Sequence, residues 1–321
     1  MMPWIMVGLG LVILLLAGDA LVKGAVNLAL RIGIPALIVS LTVVAFGTSA
    51  PELLVSVNAA LADKPGLALG NVVGSNTANA LLVLGIPAMI AVMHTSLCKC
   101  RRSYLQMLAA SVLFIALAYR GTFDWIAGLV LLGALGLMLG DALRNALAHR
   151  REVAAAAALI ATTEEEVEGA DPDMPWWQII TFLLLGLVGL PLGADILVDN
   201  ASILALRYGV REAAIGLTLV ALGTSLPELA TTVMAAIRRQ ADVALGNVIG
   251  SNMFNLLAII GITALISPVP VDPEFLRFDL WVMLASSLLL IPFVILCRDL
   301  NRIWGLALTL AYTGYVILVL T

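Results

Sequence analysis

Long apolar runs separated by short polar clusters repeat along this chain from end to end. Ten such stretches stand out, at about 4–30, 34–61, 67–92, 104–119, 123–143, 176–206, 212–237, 243–266, 276–296 and 303–320. A helix that crosses a bilayer needs about 20 largely apolar residues, so the pattern predicts ten membrane-spanning helices. Strict alternation of apolar and polar positions, the mark of a membrane β-barrel, does not occur. The start, Met1-Met2-Pro3-Trp4, has no basic leader character, so the first stretch is expected to remain as a helix.

The pattern also repeats. Shifted by 176 residues, Leu41–Gly85 aligns without gaps on Leu217–Gly261, with 24 identities in 45 positions. GTSAPELLVSVNAA (47–60) answers GTSLPELATTVMAA (223–236), and GNVVGSNTAN (70–79) answers GNVIGSNMFN (246–255). Weaker matches pair Asp19 with Asp195 and Gly33 with Gly209. The second stretch matches the seventh, five crossings later. An odd number of crossings turns one copy upside down relative to the other, an architecture used by many secondary transporters. The expected halves are 1–148 and 175–321, joined by a polar link at 149–174 that carries Glu164, Glu165, Glu166, Glu168, Asp171 and Asp173. That acidic run reads as a solvated tether.

Composition agrees with the apolar pattern. Residues of the AVILMFWYC set make up 62% of the 321, and charged residues 12%, about half the charge of a soluble domain. A net charge of −4 gives no reason to expect nucleic acid as a partner. Lys and Arg set the orientation. With the N-terminus outside, the inner loops hold Arg31, Lys99, Arg101, Arg102, Arg144, Arg150, Arg151, Arg238, Arg239, Arg298 and Arg302; the outer loops hold Lys64, Arg120, Arg207, Arg211 and Arg277. Both termini are therefore expected outside the cell membrane and the link in the cytoplasm. Cys98, Cys100 and Cys297 read as ordinary thiols, and Cys98-x-Cys100 is too short for a zinc site. His94 and His149 lie near loops, where they are solvated.

Against this background Glu52 and Glu228 stand out, deep in the second and seventh stretches at equivalent repeat positions. An ionisable group at that depth costs several kcal/mol and marks an ion or proton path. Each follows a proline. Pro51 has no amide hydrogen for the carbonyl of Gly47, and Pro227 none for that of Gly223, so both helices should break there. Carbonyls near Ala45 and Ala221 are expected to be freed by the break. Thr48 and Ser49 precede Glu52 by four and three residues and share its face, as Thr224 and Ser225 do for Glu228. In the next stretch Ser75 faces with Asn79, and Ser251 with Asn255. Two carboxylates, two amides and several hydroxyls form a set of hard oxygen donors, suited to calcium, which takes 6–8 of them. No His or Cys joins them, which argues against zinc, copper or haem. Asp19 and Lys23 are four apart and read as a pair; Asp141 and Arg144 read as a helix-end pair. Asp195 and Asp199 lack a base and point to an aqueous entry beside the sixth helix.

The paired motifs GTSAPE/GNVVGSNTAN and GTSLPE/GNVIGSNMFN resemble the two alpha repeats of the cation/calcium exchanger superfamily, closest to its prokaryotic sodium/calcium exchanger branch. The likeness covers nearly the whole chain. It implies an all-α membrane protein of ten helices in two inverted five-helix repeats, with broken helices two, three, seven and eight around a central ion site and helices one and six sliding as a gate. It implies Glu52 and Glu228 as the main ligands of calcium and sodium. Thr48, Ser49, Thr224, Ser225, Ser75, Asn79, Ser251, Asn255 and the carbonyls of Ala45 and Ala221 would complete the set. No cofactor and no obligate protein partner is implied. Some relatives, including potassium-dependent ones, carry Asp at the position of Asn255, so Asn there resembles potassium-independent exchangers; the family resemblance separately implies electrogenic sodium/calcium antiport. A calcium/proton antiporter of the same superfamily would use the same carboxylates as proton carriers, and stays open at this point. An intramembrane acid protease is disfavoured: the acids are glutamates flanked by proline and hydroxyls, and the chain has no GxGD motif.

Overall fold

The computed structural model describes residues 2–95, 100–157, 171, 173–208 and 221–320. The first part of the seventh apolar stretch, Arg211, Cys98, Lys99 and the glutamates of the link lie outside them.

The described residues are almost all helical. The helices are α1 (Met2–Ile32), α2 (Ala36–Thr48), α3 (Ala50–Leu61), α4 (Pro65–Ile90), α5 (Arg101–Ala118), α6 (Trp125–Ala157), α7 (Trp176–Arg207), α8 (Ala221–Thr224), α9 (Leu226–Ile237), α10 (Ala241–Ile266), α11 (Phe275–Val294) and α12 (Arg302–Leu320). Joined across the interruptions α2/α3 and α8/α9, they form ten units among the described residues. Seven helices are long and apolar enough to cross a membrane, and the bent pair α2 and α3 makes an eighth span.

Local chemistry sets the ends. α1 stops where Gly33 turns into the left-handed region (φ 70), which costs a residue without Cβ little; Ile34 N then donates to Ala29 O at 3.0 Å. α2 and α3 meet at Ser49 with a bend of 43°, and Pro51 sits in the first turn of α3. This is the break expected from the missing N–H. Ser225 and Pro227 occupy the same places between α8 and α9. In the third and eighth units the interruption takes a milder form: α4 and α10 run on through π-helical turns at Asn79–Val83 and Phe254–Ile259. Such turns are rare and gather at functional sites.

Several pairings extend the repeat beyond the identical residues. Asp63 and Arg239, 176 apart, both adopt left-handed φ (57 and 56). Lys64 N donates to Ala59 O, and Gln240 N to Ala235 O, each at 2.8 Å; this closes the helices with the same cap. Two short strand contacts tie the halves together. Thr122–Phe123 pairs antiparallel with Val269–Pro270, and Met93 bridges Leu300. The first joins the entry to α6 with the exit of α10; the second joins the exit of α4 with the entry to α12. In the inverted arrangement these ties lie at opposite membrane faces.

α10 is the centre of the molecule: every residue from Val243 to Met253 is buried, as expected of a helix surrounded by others. α1 and α7 pack along each other outside this centre and expose Leu16 and Val188 outward. Their backbones nearly touch. A Cβ on Gly10 would lie 2.9 Å from Gly193 O, and one on Gly193 would lie 3.1 Å from Gly10 O. Small residues permit such approach between membrane helices, where close packing must supply the attraction.

Two sequence expectations change. Asp19 pairs with Arg238 and not with Lys23: Nε and Nη2 of the guanidinium donate to its two oxygens at 2.6 and 2.9 Å. Lys23 instead lies 4.6 Å from the Phe182 ring. A planar fork matches a carboxylate better than the ammonium one turn away does. Asp141 is held by Arg102 and Gln106 of α5, not by Arg144. Helix α6 continues to Ala157, into the stretch read as link, because Ala154–Ala157 is the strongest helix former available. The chain returns from the link with Asp171 N donating to the buried Asn27 of α1 at 2.8 Å.

Candidate functional site

Both half-helices that follow a break begin at the centre of the bundle. Glu52 lies in the first turn of α3 and Glu228 in the first turn of α9. Unpaired amide N–H groups and the helix dipole favour negative charge there. Both glutamates are fully buried. None of the ion pairs among the described residues involves either one.

The break also carries hydroxyls from one repeat to the other. Ser49 Oγ donates to Glu228 Oε1 at 3.2 Å. Thr48 Oγ1 lies 3.4 Å from Ser251 Oγ and donates to Asn247 Oδ1 at 3.3 Å. On the other side, Thr224 Oγ1 donates to Asn71 Oδ1 at 3.5 Å. Ser75, Asn79, Ser251 and Asn255 of α4 and α10 are all buried.

Nine buried side-chain polar atoms among the described residues lack a hydrogen-bond partner, and seven of them belong to the expected set. They are Glu52 Oε1 and Oε2, Glu228 Oε2, Ser75 Oγ, Ser225 Oγ, Asn79 Oδ1 and Asn255 Oδ1. All seven are oxygens. Leaving one such atom buried and unpaired costs about 1–3 kcal/mol, so their concentration marks a place that a bound cation or water completes. A hard cation, which binds oxygen alone, fits such a set. Among the described residues no group of three or more His, Cys, Asp or Glu side chains could hold a metal. The centre is thus two carboxylates among neutral oxygens.

The structure places Ser49 on Glu228, Thr48 beside Ser251, and Thr224 on the Asn71 that holds the Glu52 main chain; Ser75, Asn79, Ser225 and Asn255 are buried as well. It changes the picture for Ala45. Its carbonyl already accepts from Ser49 N at 3.0 Å, and Thr48 Oγ1 lies 3.3 Å from it. The backbone of Ala221 opens α8.

Sequence reasoning missed two asparagines. Asn71 Nδ2 donates to Glu52 O at 3.1 Å and to Ser56 Oγ at 2.9 Å. Asn247 Nδ2 donates to Glu228 O at 3.3 Å and to Thr232 Oγ1 at 3.2 Å. Each anchors the main chain of a glutamate to the neighbouring helix while its amide oxygen accepts from a threonine of the opposite repeat. The signal was present: both stand directly after the first glycine of the repeated GNVVGSN and GNVIGSN motifs. They were passed over because the helical-face argument started from the serine at the far end of the motif.

A bundle of apolar helices in two inverted halves, with broken helices carrying buried carboxylates to the interface between them, defines a polytopic membrane ion antiporter. The chain belongs to the family described as sodium/calcium exchanger protein, whose model matches residues 2–140 and 178–321. It is 37% identical over 291 residues to inner membrane protein YrbG of Escherichia coli, covering 90% of this chain and 86% of that one. It is 31% identical over 341 aligned positions to sodium/calcium exchanger MaX1 of Methanosarcina acetivorans, covering 96% of both chains. The solved structure of the sodium-calcium exchanger NCX_Mj, soaked with sodium and strontium, superposes with a TM-score of 0.81 at 30% identity, over 99% of this chain and 98% of that one. MaX1 and NCX_Mj are exchangers, not enzymes, and this chain is a multi-pass membrane protein of the same family.

Proposed function

We propose that this protein exchanges sodium for calcium at the junction of its two halves, by alternating access. The observation that carries this reading is the pair of fully buried glutamates at repeat-related positions, neither in an ion pair among the described residues, accompanied by buried oxygens that lack donors. Glu52 and Glu228 are the charged ligands. Thr48, Ser49, Thr224, Ser225, Ser75, Asn79, Ser251 and Asn255 supply neutral oxygens, with the carbonyl of Ala221 at one flank. Halves 1–148 and 175–321 form the two sides of the site, and the tether between them is cytoplasmic.

Electrostatics explains why such a site exchanges ions and does not leak them. Two ionised carboxylates closed into a dry centre repel each other, at a cost of several kcal/mol. One Ca²⁺ cancels the charge of −2, and so do several Na⁺. Loaded forms therefore close and turn over, and the empty form does not. Each ion shifts the balance between the two facings by its differential affinity for them. Asn255 adds an oxygen without a third charge, so the site has no formal demand for potassium, and transport of more than two sodium ions per calcium is electrogenic.

The test is calcium uptake into sodium-loaded proteoliposomes diluted into sodium-free medium, beside vesicles carrying a pH gradient. Uptake that requires internal sodium and ignores the pH gradient is the expected result. Uptake that follows the proton gradient would assign the protein to calcium/proton antiport.

Orientation has its own test. In a chain with Cys98 and Cys100 replaced by serine, the exposed Cys297 should react with a membrane-impermeant maleimide in inside-out vesicles and stay unlabelled in intact cells. The reverse pattern would place both termini in the cytoplasm.

A further inference from the structure

At the core of the bundle four asparagines, each at most 1% exposed, join the two repeats: Asn76 and Asn79 from α4, Asn252 and Asn255 from α10. Asn79 Nδ2 donates to Asn252 Oδ1 at 3.1 Å, and Asn255 Nδ2 donates to Asn76 Oδ1 at 3.0 Å. Each amide of the site is thus held by an asparagine of the opposite repeat. The oxygens left over, Asn79 Oδ1 and Asn255 Oδ1, have no donor.

A carboxamide has a donating end and an accepting end, and its neighbours decide which way round it sits. The neighbours of the outer pair can accept and cannot donate. Asn76 Nδ2 donates to the backbone oxygen of Asn252 at 3.3 Å and lies 3.9 Å from Met283 Sδ. Asn252 Nδ2 lies 3.7 Å from Met107 Sδ. A carbonyl oxygen has no hydrogen to give, and a thioether is a weak acceptor. The NH₂ groups of Asn76 and Asn252 therefore turn toward them, and their oxygens turn toward Asn255 and Asn79. Those two must answer with NH₂, which leaves their own oxygens free. Met107 and Met283 are themselves 176 residues apart, so the device is built twice.

We propose that Asn76 and Asn252 are positioning residues that set the polarity of the site amides, so that Asn79 and Asn255 present oxygen, never NH₂, to the transported cation. An inverted amide would direct partial positive charge at the ion. This inference rests on the reading that Asn79 and Asn255 face the ion. Met107 and Met283 anchor the far ends of the lock.

The position of Asn255 supplies the test. A carboxylate offers oxygen whichever way it turns, so Asn255→Asp has no need of a lock. Calcium KM and maximal rate would be measured in proteoliposomes, under whichever gradient drives uptake, for the parent, Asn76→Ala, Asn255→Asp and the double variant. With Asn255 present, Asn76→Ala should raise KM about tenfold, the value of one oriented hydrogen-bonded contact. In the Asn255→Asp background the same change should move KM less than about twofold, because it also removes an oxygen that would face the new carboxylate. An equal rise in both backgrounds would reduce Asn76 to a packing role, and no rise beside Asn255 would overturn the lock. If Asn76→Ala does not yield folded protein, Asn76→Leu keeps the volume and is judged by the same comparison. Asn255→Ala separates the two levels: an unchanged KM there would remove Asn255 from the ligands, whatever Asn76 does.

Discussion

Glu52→Gln and Glu228→Gln should each abolish calcium exchange, lowering uptake by at least about a hundredfold. The substitution preserves shape and removes one charge from a centre that holds two. Both side chains are fully buried, and water cannot replace the missing charge. Removing one partner from a buried charge interaction costs about 3–5 kcal/mol, which exceeds two powers of ten in rate or affinity. The amide also places an NH₂ group where the cation needs oxygen. Measurement is uptake of radiolabelled calcium by proteoliposomes containing equal amounts of monodisperse protein. Normal uptake by either variant would remove that glutamate from the transport site.

Gly250→Val should be nearly as damaging, through packing and not through charge. A Cβ at Gly250 would lie 2.5 Å from Leu41 O and 2.6 Å from Ala45 Cβ, with Leu41 Cα at 2.9 Å. Two of these atoms are backbone and none is the end of a flexible side chain, so α2 and α10 must separate. Overpacking of this kind costs about 1–3 kcal/mol and displaces backbone. The displaced backbone carries Thr48 and Ser49 on one side and Ser251 on the other. Uptake should fall more than about tenfold and the melting temperature by several degrees. Gly133→Val is the control: Gly133 is exposed on α6, and the described residues place nothing within 4 Å of its Cβ position. Equal effects from both variants would show that valine in a membrane helix, and not the contact at Gly250, is responsible.

Much of this molecule could be read from the chain because its strongest constraints are local. Apolar runs must span or be buried, proline must interrupt a helix, and a shift of 176 residues superimposes the polar positions. Those three facts located Glu52, Glu228 and their neighbours. What the chain concealed depends on contacts between distant segments. Asp19 has Lys23 one turn away, yet it binds Arg238 at the C-terminal end of α9, which the fold brings alongside. Arg102 reaches Asp141 from α5 in the same way. The matching turns at Asp63 and Arg239 were invisible because their side chains differ while their backbones agree. Asn76 and Asn252 lay in full view in the repeated motif, but nothing in linear spacing says that an amide on one helix orients an amide on another. The carbonyl of Ala45, expected free, is occupied because the chain bends at Ser49 and keeps the bond from Ser49 N.

The hydroxyls at the two breaks do not do the same thing. Ser49 donates to Glu228 at 3.2 Å, whereas its counterpart Ser225 has no partner for its oxygen. Two halves with nearly the same central sequence have thus settled into unequal roles. Exchanging those roles would give a second arrangement, with Ser225 turned to Glu52 in place of Ser49 turned to Glu228. A device of that kind has no built-in forward stroke. The concentrations on its two sides decide whether it fills a compartment or empties it, and reversing them reverses the traffic.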